Sequence, residues 1–74
     1  MRQDDLNEYL GRRPFQPVRI YLSTGSFVDI HQPQLAHVSR SVLTLGQSIE
    51  GEQQRFLVIA LIHMVWLEVL VPAP

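Results

Sequence analysis

Between Phe56 and Val71 the chain places apolar residues side by side: Leu57-Val58-Ile59, then Leu61-Ile62, then Leu70-Val71. Neighbours on a β-strand point to opposite faces, so both faces of this stretch are apolar. Helix is the rival reading. Val58, Ile59, Ile62, Val65, Val69 and Val71 are β-branched, and no one-sided helical stripe runs through them, which favours strands. The stretch therefore reads as two strands, Arg55 to Ile62 and Met64 to Val71, with His63 at a tight connection between them. One face can pack on the chain's own core. The other needs the helix or a second subunit to cover it, and Leu57, Ile59, Trp66 and Val69 are the expected contacts of such an oligomer. By strict alternation Trp66 shares a face with Met64, Glu68 and Leu70. His63 and Glu68 interrupt the run, which is shorter than the roughly 20 residues of a spanning helix.

Upstream the periods change. Leu6, Tyr9 and Leu10 have i, i+3, i+4 spacing, which predicts a helix over about 4–12. Asp4 or Asp5 can cap it, and Glu8 follows Asp5 by three, as in a capping box. Gly11 and Pro14 end it, with Arg12 and Arg13 where a helix dipole favours cations. Pro14 and Pro17 make an extended linker. Val18, Ile20 and Leu22 then alternate with Arg19 and Tyr21 as a strand. Ser23 to Ser26 is a turn, and Phe27 to His31 returns as a hairpin partner. Pro33 lacks a ladder donor and marks a bulge, edge or bend, after which Leu35 to Val38 can resume the strand. Ser41 to Leu45 reads as another strand, Gly46 to Gln54 as a loop, and Pro72 to Pro74 as a frayed tail.

A chain of 74 residues is expected to form one domain, 1–74, with strands between about 18 and 71. Its core is thin, because so short a chain buries only about 60% of its unfolded surface. It has no cysteine, so disulfides cannot reinforce it and a homo-oligomer is the expected remedy. The net charge is −1 and all six basic residues are arginine. No global field draws the chain to nucleic acid or to anionic membrane. Met1 to Asp5 lacks the basic-then-apolar pattern of a signal peptide, so a cytoplasmic protein with no membrane partner is expected.

Little in the sequence points to catalysis. There is no cysteine nucleophile, glycine-rich phosphate loop or His-Glu-x-x-His motif. Asp29 and His31 would share a strand face, but nothing supplies a nucleophile or oxyanion hole. Asp29, His31 and His37 match no metal-ligand spacing, and in its apolar setting His63 reads as a buried structural residue bonded to backbone. The expectation is a binding module that is not an enzyme and takes no metal and no cofactor. RNA is the other expected partner: Arg12, Arg13, Arg19 and Arg40 could touch phosphate, and Tyr21 or Phe27 could stack on a base.

Two resemblances bear on this reading. Gln3-Asp4 with Leu6-Asn7, Arg12-Arg13, Pro17-Val18, Ile20-Tyr21-Leu22 with Gly25, and His63 with Val71-Pro72 resemble segments of the bacterial Sm-like RNA chaperones. The resemblance implies an all-β fold, a small SH3-like or Sm-like bent five-stranded barrel with an N-terminal α-helix. It also implies an RNA pocket built from Gln3, Arg40 and His63, with Arg12 and Arg13 on phosphate. Ile62 stands where that family carries a lysine. Arg13-Pro14-Phe15-Gln16-Pro17-Val18-Arg19-Ile20, His31-Gln32-Pro33, Val38-Ser39-Arg40-Ser41 and Leu61-Ile62-His63-Met64 resemble a group of short uncharacterised bacterial proteins. That likeness spans nearly the whole chain and implies no activity.

Overall fold

A computed structural model describes residues 1–48 and 53–71. One helix, α1 (Gln3–Leu10), precedes six strands. These are β1 (Val18–Leu22), β2 (Phe27–Ile30), β3 (Ala36–Val38), β4 (Val42–Ser48), β5 (Gln54–Ala60) and β6 (Met64–Val69). They form two antiparallel three-stranded sheets, ordered β2-β1-β6 and β3-β4-β5. The fold is mostly β with an N-terminal helix, as expected. The described residues close no barrel, and six strands stand where five were expected. The break at Pro33 is the reason. Pro33–Leu35 winds one 3₁₀ turn, so the second strand splits into β2 in one sheet and β3 in the other.

Alternation carries the core. Val18 and Ile20 of β1 are fully buried, as is Ile30, which ends the β2 hairpin partner. Leu43 and Leu45 of β4 line the same interior from the second sheet, and Leu6 and Leu10 of α1 close over it. Gly25 takes φ +92° in the turn between β1 and β2, a conformation open to glycine because it has no Cβ.

Several boundaries differ from the sequence reading. α1 begins with three polar residues, Gln3, Asp4 and Asp5, before its apolar face, with Arg2 at the N-cap in an extended conformation and no side chain capping it. Asp4 and Asp5 lie inside the first turn, where their charge still favours the positive end of the helix dipole. Gly11 closes the helix as expected, its amide donating to the Asn7 carbonyl at 2.9 Å. Gly46, Gln47 and Ser48, read as loop, continue β4 opposite Phe56, Arg55 and Gln54 of β5. The rest of that loop, 49–52, and the tail 72–74 lie outside the described residues.

The last two strands join through a 3₁₀ turn, Leu61–His63. Here the ladder between β1 and β6 slips: Tyr21 pairs with Trp66, but Leu22 pairs with Met64, leaving Val65 as an extra residue. Such a bulge reverses the alternation on either side of it. Met64 is therefore buried while Trp66 is half exposed, which corrects their expected sharing of a face.

Candidate functional site

Four features could meet a ligand or partner, and each follows from where the elements put its residues. At the start of α1, Gln3 reaches back and its Nε2 donates to the Val38 carbonyl at 3.4 Å. The Met1 nitrogen donates to the carbonyls of Leu61, at 2.8 Å, and Met64, at 3.2 Å. These bonds draw the helix start onto the junction between β5 and β6. An open cavity of about 510 Å³ results, lined by Arg2, Gln3, Asp4, Arg40, Ser41 and Ile62 among others. Gln3 and Arg40, two of the expected RNA contacts, are thus brought together.

Arg12 and Arg13 are not with them. They follow the other end of α1, which as an eight-residue helix is about 12 Å long. Arg12 pairs with Glu8 at 3.3 Å and lies 4.3 Å over the ring of Tyr9. Arg13 donates to the carbonyls of Leu10 and Arg12, near the unsatisfied end of the helix. Both line a cavity of about 300 Å³ with Tyr9, Pro14, Gln16 and Val69.

His63 turns away from the Gln3 cavity. It is exposed rather than buried, its Nδ1 lies 3.0 Å from Ser23 Oγ, and its carbonyl accepts from the Ser23 amide at 2.8 Å. The histidine pins the β1–β2 turn to the strand junction, and the expected apolar setting is corrected.

On the outer face of the first sheet, Arg19 and Asp29 stand opposite each other in β1 and β2 and bond through two N–H donors, at 2.8 and 3.0 Å. The guanidinium holds the Asp29 carboxyl below its ordinary range, chiefly by that hydrogen bond. A carboxylate so engaged is not available to orient His31. Beside this pair runs an aromatic row. Tyr21 stacks on Trp66, ring centres 4.1 Å apart and planes 8° apart, and meets Phe27 at 5.8 Å. Arg19 covers Phe27 at 4.0 Å. The tyrosine and phenylalanine expected to stack on a base are occupied by their own neighbours. The β1–β6 pairing that does this joins residues far apart in sequence, so no local signal announces it. Among the described residues no group of three or more His, Asp or Glu side chains gathers to hold a metal. No described helix is long and apolar enough to cross a membrane.

The fourth feature is the outer surface of the last two strands. Phe56 is 67% exposed, Val58 66%, Ile62 85% and Val65 62%. Of the expected interface residues, Leu57, Ile59 and Val69 pack toward the chain's own core, and Trp66 is 48% exposed. β5 pairs only with β4, and β6 only with β1, so each keeps one edge without a strand partner among the described residues. Sequence reasoning found the two-faced pattern but named mainly the inward set. The outward set is Phe56, Val58 and Val65. The parity of β5 was open to either choice until β4 fixed it, and that of β6 depended on the bulge.

No family model, curated protein or solved structure matches this chain.

Proposed function

We propose that the chain is a non-enzymatic assembly module of SH3-like or Sm-like build that self-associates through β5 and β6. One observation carries the reading: four large apolar side chains, Phe56 and Val58 on β5, Ile62 on the turn that follows and Val65 on β6, are each more than three-fifths exposed, and the two strands each keep an edge without a strand partner among the described residues. Exposed apolar side chains beside unpaired strand backbone are a template for pairing with another chain. Main-chain hydrogen bonds supply attraction in strand addition, and the side chains select the partner. The barrel description rests on β2 and β3 acting as two halves of one strand bent at Pro33. On that reading the strands follow one path, β6-β1-β2 and then β3-β4-β5, and the buried residues of both sheets belonging to one core cluster support it.

Sedimentation velocity over a micromolar concentration series tests the reading. We predict a concentration-dependent assembly, and its dissociation to monomer in the double variant Phe56→Lys with Val58→Lys. Both positions are mostly solvated, so an unchanged circular dichroism spectrum is expected alongside the loss of assembly. A chain that stays monomeric at high micromolar concentration would remove the proposal.

A second reading, a divergent Sm-like RNA binder, is favoured by the gathering of Gln3, Arg40 and Ile62 around one cavity. Arg12 and Arg13 could then contribute only through a separate surface. Binding of short oligo-U and oligo-A RNA, measured across a salt series, tests it. Arg40→Ala should weaken binding and lower the salt slope by about one. Affinity unchanged by Arg40→Ala would exclude this cavity as the site.

A further inference from the structure

The outer face of the first sheet repeats one arrangement twice. β1 is its middle strand, flanked by β2 and β6. Tyr21 stands opposite Phe27 on one side and Trp66 on the other, and Arg19 stands opposite both Asp29 and Glu68. Each flanking strand therefore sets an aromatic ring beside Tyr21 and, two residues on, a carboxylate beside Arg19. Residues two apart on a strand share a face and lie about 7 Å apart. On β2 one guanidinium serves both groups: that of Arg19 lies 4.0 Å over the Phe27 ring and donates to the two Asp29 oxygens at 2.8 and 3.0 Å. On β6 the same two groups have no such partner. Trp66 lays one ring face on Tyr21, and no cation covers the indole among the described residues. Glu68 forms no ion pair among them. Arg19, the cation opposite it, is turned to Asp29.

We propose that Trp66 and Glu68 form a binding site for a second guanidinium, delivered by an arginine side chain of a partner protein. The chemistry is the one the chain already uses on β2. A planar cation stacks on a ring face, for which indole is the best aromatic partner, and its N–H groups fork onto the carboxylate. Lysine fits less well, because its ammonium is compact, strongly hydrated and not planar. The source of the guanidinium follows from exposure. Trp66 is 48% exposed on an outermost strand of the sheet, so the site is an open surface. Free small ligands are held in concave sites that bury most of their area. An open ring and carboxylate instead suit a side chain whose own protein supplies the remaining contact. The site is complete within one copy of this chain, so it does not depend on self-association.

Trp66 is the chain's single tryptophan, so its indole N–H gives one unambiguous NMR signal. That signal and the Glu68 amide are the reporters in a heteronuclear titration. The probe is a blocked peptide, Gly-Ser-Arg-Ser-Gly, compared with the same peptide carrying citrulline, which keeps the shape of arginine and removes its charge. The expected result is a saturable shift of Trp66, Glu68 and their neighbours with the arginine peptide, and binding about tenfold weaker with the citrulline peptide. Glu68→Gln should weaken the arginine peptide about tenfold while the rest of the spectrum stays in place. Trp66→Leu, read at the Glu68 amide, should weaken it as well. Free arginine should bind more weakly than the peptide. Equal binding of the arginine and citrulline peptides would overturn the site, and that comparison needs no variant. Full affinity retained in Glu68→Gln would overturn it too. Free arginine bound as tightly as the peptide would overturn the assignment to a protein partner.

Discussion

At the scale of single residues, the Arg19–Asp29 pair couples the chain's stability to pH. The Asp29 carboxyl is held below its unfolded value, near 3.9 for a free aspartate, because two guanidinium hydrogen bonds favour its charged form. A depressed folded pKa contributes stability that is complete above the unfolded pKa. That contribution is lost as pH falls through the folded value. We predict that urea midpoints fall as pH drops below about 4, and that Asp29→Asn flattens this part of the profile. A slope equally steep in the variant would assign the acid sensitivity to other carboxylates. Gly25 makes a second residue-scale prediction. No atom would contact a Cβ there, so only the backbone at φ +92° opposes one. Gly25→Ala should cost about 1 kcal/mol by the strain of the left-handed region, read from the denaturant midpoint.

At the scale of elements, α1 is under-capped. Arg2 occupies the N-cap with the extended dihedrals a cap needs, yet its side chain accepts nothing from the helix amides. An aspartate there could accept from the amide of the second or third helical residue. Arg2→Asp should therefore stabilise the chain by about 0.5–1 kcal/mol in thermal or urea unfolding. The sequence pointed to Asp4 or Asp5 because both can cap and because Glu8 completes a capping box with Asp5. It could not show that Met1 bonds to Leu61 and Met64, which ties the chain down two residues earlier. Elements with strong local signals were legible: the α1 face of Leu6 and Leu10, the stop at Gly11, the β1–β2 hairpin and the break at Pro33. Elements decided by a distant partner were not. Gly46 to Ser48 look like loop residues, and they become strand because β5 pairs with them in register. The extra residue at Val65 arises from how β6 fits β1, so the outward turn of Trp66 was hidden as well. For the candidate sites the same division holds. Arg40 was legible as a candidate RNA contact. Its meeting with Gln3 depends on the helix folding back over the strand junction.

At the scale of the whole molecule, the two sheets draw on the chain in different ways. β3, β4 and β5 are consecutive, each paired with the next, so one sheet is built from a single stretch. The other sheet is complete only when β6 returns to β1, with Val18 of the first strand opposite Val69 of the last. Order in space thus becomes order in time. Closing a loop costs entropy that grows with its length, and non-local pairings form slowly on that account. The consecutive sheet can assemble while β6 is still free, and the β1–β6 ladder locks last. We predict that Leu43→Ala in β4 slows folding in stopped-flow chevrons, whereas Leu67→Ala in β6 mainly speeds unfolding. Equal slowing by both would show that the sheets form together. If β6 does lock last, every folding molecule passes through a state in which Phe56 and Val58 are displayed while β6 is still unpaired. Such a state could trade its last strand with another copy, so the moment of greatest risk for misassembly would fall just before the chain is finished.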